Sequence, residues 1–273
     1  STAAVPANVT VAFNNPTGAP RLDSLGFSPY LLANGNCPTL NVVSINNNGT
    51  TARNCTFDYI QTVEMVPENK RDSFFVKGTK KLGDNWEAFT DIAYSRFDLT
   101  ARIAANPVPF SVPVGSANFN QYVAPYLNAD QLANVDRVSG SYRAYDWGTR
   151  DSQTITESKH AVAGLDGEIA GWTVSGALTW SENSIDERYV GGYMRNAEFR
   201  SMLANNAFNP FAPIGQQSPA TQQLIRDSIF HGSIREASTT LKAADVRGSH
   251  ELFGMKGGMA QLAIGADYRE YSY

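Results

Sequence analysis

The strongest constraint on how this chain folds is a repeated pattern of two alternating strands joined by a tight turn. The pattern occurs at residues 72–98, 151–186 and 239–273. The turns are rich in glycine, aspartate and asparagine, as at Gly83 and Gly171, and these residues tolerate the positive φ values of short hairpin turns. We therefore predict three antiparallel β-hairpins.

Within each strand, apolar and polar residues alternate. Trp172, Val174 and Leu178 fall on one face of a strand, whereas Thr173 and Thr179 fall on the other. A register shift of one residue would exchange the two faces, so the pattern fixes which side of the sheet is apolar.

This alternation is imperfect. Phe89 falls on the polar face, and Lys80 falls on the apolar face close to a turn. A lysine near the end of a strand can extend its charged group into water along its aliphatic stem.

Three features favour a membrane-embedded sheet over a soluble one. The predicted strands hold ten residues or more, whereas strands of soluble proteins average about five or six. Tight turns alternate with long connections (99–150 and 187–238), as in bacterial outer-membrane barrels. Aromatic residues stand at the strand ends, as an interfacial girdle requires: Trp86, Tyr94, Trp172, Trp180 and Tyr268.

Composition and motifs exclude several classes of function. Charged residues make up 18% of the chain, below the quarter that is typical of soluble domains, yet no apolar run reaches the length of a membrane-spanning helix. The net charge of -4 and the absence of a basic run argue against nucleic acid as a partner. No catalytic motif is present, and His160, His231 and His250 lack metal-ligand spacing. We predict no enzyme, no cofactor and no metal site.

The two cysteines, Cys37 and Cys55, lie in a polar stretch that is rich in asparagine and glycine. In an oxidising compartment a disulfide across this loop would stabilise the fold by about 3 kcal/mol. Two free thiols in a cytosolic loop are the alternative. We favour the disulfide because the stretch has the character of an exposed loop.

The third hairpin resembles the barrel of TonB-dependent outer-membrane receptors. Its first strand, Ala243 to Phe253, ends in Leu-Phe; Gly257-Gly258 follows in the turn, and the run Leu262 to Glu270 contains Gly-Ala-Asp-Tyr-Arg. That family has these three features in the same order, with Glu more usual where Asp267 stands here. The run Phe208 to Phe211 resembles the Asn-Pro-Phe loop motif of the family.

The resemblance implies an all-β fold: about six strands of an antiparallel transmembrane β-barrel that closes with about 22 strands, with long extracellular loops. It also implies a bacterial outer-membrane location and uptake of a scarce solute (a siderophore, a vitamin or an oligosaccharide). The partners would be outer-membrane lipid, lipopolysaccharide, the solute and the TonB complex. Neither a plug domain nor a TonB box is visible in the sequence, so we expect a piece of a receptor whose TonB contacts lie elsewhere.

On this interpretation residues 1–71, 99–150 and 187–238 are extracellular loop regions that alternate with the hairpins. Their aromatic and arginine residues offer stacking surface and bidentate contacts to a solute. The alternative is that these residues pack the loops together or bind lipopolysaccharide phosphates. The candidates for ligand binding are Tyr142, Arg143, Tyr145, Trp147, Arg150, Tyr193, Arg195 and Arg200.

A second hypothesis for the whole chain is a secreted or surface-exposed β-sandwich that binds or adheres to a partner. The apolar face of the hairpins distinguishes the two, because a sandwich buries that face against a second sheet, whereas a membrane barrel turns it to lipid.

Overall fold

The computed structural model describes residues 3–14, 24–45 and 51–273. Strands make up most of these residues and their sheets are antiparallel, which confirms the mostly-β prediction. No sheet in the described ranges closes into a barrel. The chain divides into two compact units. The sheet unit comprises Pro67–Thr100, Gln153–Arg188 and Ser233–Tyr273, and the core unit comprises Ser1–Val66, Ala101–Ser152 and Tyr189–Gly232.

The sheet unit is built on six long strands that form three consecutive hairpins. Their bounds are β5 Glu68–Lys81, β6 Trp86–Ile103, β9 Arg150–Ile169, β10 Trp172–Gly191, β11 Gly232–Met255 and β12 Gly258–Ser272. The order across the sheet is β12-β11-β10-β9-β6-β5. At the end away from the tight turn, β5, β6, β10 and β11 extend several residues beyond the predicted ranges, whereas β9 begins at Arg150 and β12 ends at Ser272, each within one residue of the prediction.

Two of the three tight turns contain the positive φ values that the sequence predicts. Ala170 and Gly171 both have positive φ values, of 51° and 81°, which is the requirement of a two-residue type I′ turn. Gly83 has a φ of 81° in the first turn, and Lys256-Gly257 forms the third. Local turn chemistry therefore accounts for the first two hairpin turns.

A β-bulge interrupts the alternation that we predict in the third hairpin. Glu251 pairs with Gln261, whereas Phe253 pairs with Ala260, so one strand has an extra residue at Leu252. Phe253, not Leu252, therefore stands opposite Ala260.

The core unit contains a four-stranded sheet of order β2-β1-β8-β7. In β1, Val9 and Val11 are buried and Thr10 between them is exposed, so burial follows the two-residue period. Pro107 and Pro109 occupy β7, which is tolerated because this strand lies at the edge of the sheet. The strands of this unit are β1 Asn8–Phe13, β2 Ser24–Phe27, β3 Asn41–Ile45, β4 Thr51–Phe57, β7 Pro107–Ser111 and β8 Val135–Arg143.

The three regions that we predict as extracellular loops contain regular elements and share one hydrophobic core. Residues 1–2, 15–23 and 46–50 of the first region lie outside the described residues. The helices are α1 Pro29–Asn34, α2 Ala117–Tyr122, α3 Ala129–Ala133, α4 Asn196–Ala204 and α5 Pro219–Asp227, with 3-10 turns at Tyr59–Thr62, Ala124–Tyr126 and Tyr145–Trp147. Among the described helices, none has the length and apolar character needed to cross a membrane.

Cys37 and Cys55 form a disulfide, which confirms the prediction. Cys55 lies in β4, which pairs with β3 in a two-stranded sheet. The side-chain amide of Asn8 donates to the carbonyl of Cys55 at 2.6 Å and accepts from its N–H at 3.3 Å. The disulfide joins β4 to the segment that follows α1, and the buried Asn8 amide fixes β4 to the first strand of the core unit.

Candidate functional site

One face of the six-stranded sheet is apolar and open. Leu178 is 67% exposed, Val246 56% and Ile264 61%, although each belongs to the apolar side of its strand. Val174, Leu178 and Val246 line an open depression of about 840 Å³ on this face. In the described residues no second layer removes these side chains from contact with the surroundings.

The apolar stretch has the same length on four strands. It runs over residues 86–94 in β6, 161–169 in β9, 172–180 in β10 and 260–268 in β12, which is nine residues in each case. Thr90 is the polar residue within these positions of β6, and its hydroxyl donates to the carbonyl of Val162 at 2.9 Å. We call this surface the apolar band.

Charged residues occupy the same face as soon as the apolar band ends. Arg96 follows Tyr94 by two residues, and its guanidinium lies 3.3 Å from the carboxylate of Glu157. Lys159 precedes the band of β9 and Glu182 follows that of β10, and their charged groups are 2.9 Å apart. The apolar band therefore has a sharp border on the side away from the tight turns.

Aromatic rings mark the other border, next to the turns. The ring of Trp172 stacks on that of His250 with 5.3 Å between centroids. A Cβ atom added to Gly167 would lie 2.4 Å from the ring of Trp86, so the glycine is what allows this ring to lie flat across β9.

The opposite face of the sheet is mainly polar. Ser73 and Ser95 form a hydrogen bond of 3.1 Å, and Lys77 lies 3.8 Å from Asp91. Phe89, which breaks the alternation, packs against Gly164, where an added Cβ would come within 2.3 Å of its ring. A glycine on the neighbouring strand thus provides the space for the ring of Phe89.

Three of the predicted ligand-binding residues belong to the core. Tyr142 is 0% exposed, Arg143 5% and Trp147 3%. Tyr142 and Trp147 pack against Phe208 with centroid distances of 5.3 and 5.1 Å. The Tyr142 hydroxyl donates to the Asp146 carboxylate, and burial raises the pKa of both side chains. Packing is the role that this geometry supports.

Arg143 and Arg150 act on the backbone that follows β6. Arg143 donates to the carbonyl of Ala105 and Arg150 to that of Ala104, both at 2.8 Å. Burial, with the nearby charge of Arg150, lowers the pKa of Arg143. The Arg143 guanidinium also lies 5.4 Å from the ring centre of Phe57. The two arginines therefore hold the connection between β6 and β7.

The remaining predicted residues are more accessible and do not converge on one point. Tyr193 stacks on Tyr189 at 3.5 Å, and Tyr145 lies 5.8 Å from Phe57. Arg195 and Arg200 are exposed at the start and middle of α4. A contact of these side chains with a solute stays a prediction.

Sequence reasoning missed the charged border of the apolar band. The signal was present: on the same face, at every second position, aromatic residues give way to charged ones after Tyr94, Trp180 and Tyr268. A prediction that rests on the apolar residues alone ends before these charged positions.

Within the part of the chain that the structure describes, no group of three or more His, Cys, Asp or Glu side chains is placed to hold a metal ion. Comparison of the chain with protein-family models, with curated proteins and with solved structures found no match.

Proposed function

We propose that this chain is part of a TonB-dependent outer-membrane receptor, in which the sheet unit forms a section of barrel wall. One observation carries the proposal: an open apolar band nine residues long recurs on four strands and ends abruptly in charged residues. Water does not favour such a surface, whereas the hydrocarbon of a membrane does.

The dimensions of the band support a membrane setting. Nine residues span eight steps of roughly 3.4 Å, or about 27 Å along the strand. At the tilt of about 40° that is usual in outer-membrane barrels, this length covers a height of roughly 21 Å, close to the apolar band of about 25 Å in such barrels.

The chain connectivity has the asymmetry of outer-membrane barrels. The three tight turns lie at one end of the strands, and the segments of the core unit connect the opposite ends. Barrels of this class have short periplasmic turns and long extracellular connections. The connections between the hairpins would accordingly be extracellular, on the side where the receptor meets the solute that it takes up.

The disulfide between Cys37 and Cys55 fits this location. Disulfides persist in the periplasm and on cell surfaces and are rare in the cytosol. No observation favours the β-sandwich alternative, because a sandwich would cover the apolar face with a second sheet and Leu178, Val246 and Ile264 are exposed.

Cysteine labelling in intact outer membranes tests the proposal. Val246→Cys places a thiol in the apolar band, and the neighbouring Arg247→Cys places one on the opposite face. A charged maleimide reacts with thiolates in water, so we expect Arg247→Cys to be labelled and Val246→Cys to be protected until the protein is unfolded. Equal labelling of the two variants in intact membranes would refute the membrane assignment.

A further inference from the structure

The core unit contains a cavity of about 510 Å³, within the size range of small-ligand sites. Four segments build it: Pro6 before β1, α1, the end of α2 with the 3-10 turn that follows, and the run after α4. The side chains that matter to its chemistry are Tyr30, Asn34, Tyr122, Tyr126, Asn209 and Gln216.

The lining selects against charged ligands. Among the described residues that line the cavity none carries a charge: besides aromatic rings and amides there are only proline and alanine. An ionic ligand that entered would lose hydration without gaining an opposite charge. A purely apolar ligand is equally unsuited, because it would cover the amide group of the exposed Gln216 without offering it a hydrogen bond.

Aromatic rings beside neutral amides suit a ligand with both apolar faces and hydroxyl groups. Tyrosine offers a rigid ring for contact and a hydroxyl for hydrogen bonding. Amides donate and accept hydrogen bonds at one site. Tyr30, Tyr122 and Tyr126 are half-buried, so part of each ring stays accessible. Sugars present C–H faces and neutral hydroxyls together.

The site is already ordered without a ligand. The ring of Tyr122 stacks on Phe211 at 4.7 Å, and its hydroxyl accepts a hydrogen bond from the amide of Asn209 at 3.0 Å. Asn209 is itself fixed, because its side-chain oxygen accepts from the N–H of Phe211 at 3.0 Å and its carbonyl accepts from Gln217 at 2.8 Å. Binding would therefore require little side-chain ordering.

We infer that this cavity binds a neutral oligosaccharide. This oligosaccharide would be the solute of the receptor proposed above, and the role of the cavity in uptake rests on that proposal. The binding step itself needs no membrane. Binding in detergent solution and cysteine protection in membranes therefore succeed or fail separately.

Calorimetric titration of the whole chain in detergent tests the inference. The probes are maltohexaose, cellohexaose and xylohexaose, with trigalacturonate as an acidic counterpart. We expect at least one neutral probe to bind with a Kd below about 1 mM and trigalacturonate to bind at least tenfold more weakly. Tyr122→Ala should weaken binding of the neutral probe at least tenfold. Tyr59 is an exposed tyrosine outside the cavity, so Tyr59→Ala should leave the affinity unchanged.

A second variant distinguishes loss of a direct ligand contact from misfolding of Tyr122→Ala. Gln216 is exposed at the cavity, so Gln216→Trp should obstruct it without disturbing the core and should also weaken binding at least tenfold. The inference is overturned if no neutral probe binds at about 10 mM, if trigalacturonate binds as tightly, or if Gln216→Trp binds like the unmodified chain.

Discussion

Replacing Leu178 by arginine should weaken membrane insertion of the chain, whereas the same replacement of Thr179 should not. The two residues are adjacent in β10, and only Leu178 belongs to the apolar band. Leu178 is 67% exposed, so in water its replacement by arginine would resemble an ordinary surface change, within about 0.5 kcal/mol. A large difference between the two variants arises only if hydrocarbon covers the apolar band.

The position of Leu178 sets the expected magnitude. The apolar band of β10 runs over residues 172–180, so its centre is Gly176 and Leu178 lies two residues away. Two steps along a strand tilted by about 40° place Leu178 roughly 5 Å from the membrane midplane. Arginine costs about 2–4 kcal/mol at the midplane and about 0–1 near the interface. We therefore expect about 2 kcal/mol, or roughly a thirtyfold shift in the insertion equilibrium.

Flotation with phosphatidylcholine vesicles in increasing urea measures this equilibrium. For Leu178→Arg we expect the vesicle-bound fraction to disappear at a lower urea concentration than for the unmodified chain, and for Thr179→Arg at the same concentration. A shift of equal size in the two variants would mean that the faces are not distinguished by lipid, and the assignment of the apolar band would fall.

Three further predictions concern the core unit. Reduction of the disulfide between Cys37 and Cys55, 18 residues apart, should lower the unfolding free energy by about 3 kcal/mol in urea titrations. Gly140→Ala should cost about 1–3 kcal/mol, since its Cβ would lie 2.1 Å from the ring of Phe110, and much less in a Phe110→Ala background in a double-mutant cycle. Burial raises the pKa of Asp146, so the folded state holds its proton longer than the unfolded state. The unfolding free energy should therefore fall as the pH rises from the ordinary pKa of an aspartate through the raised pKa of Asp146. Asp146→Asn should remove this pH dependence.

The hairpins were predictable because their signals are local. Turn residues with positive φ and a two-residue period are both signals between residues a few positions apart. The turn at Ala170-Gly171 and the alternation of β10 could therefore be predicted from the sequence. Phe89 could not be explained in this way. Its partner, Gly164, lies on a different hairpin, and nothing in the sequence around either residue records that they meet.

Apart from its disulfide, most of the core unit was not predictable, since it has no period sustained over long segments. Its helices hold between five and nine residues, too short for a helical stripe, and its core joins segments far apart in sequence. We interpreted Tyr142 and Trp147 as loop residues for a solute because aromatic and arginine residues cluster there. Their burial depends on Phe199 and Phe208, which stand more than fifty residues further along the chain.

The shared hydrophobic core lets the long connections between the hairpins form an ordered binding site. A free connection loses about 1–2 kcal/mol of backbone entropy for each residue that a ligand orders, which leaves little net affinity for a small solute. Here the aromatic cluster around Tyr142 and the disulfide at Cys55 already order the backbone when the chain folds, so the entropy is not lost on binding. Tyr30, Tyr122 and Asn209 can then form a fixed cavity although three separate segments supply them. Weakening the core should therefore lower solute affinity before it unfolds the chain.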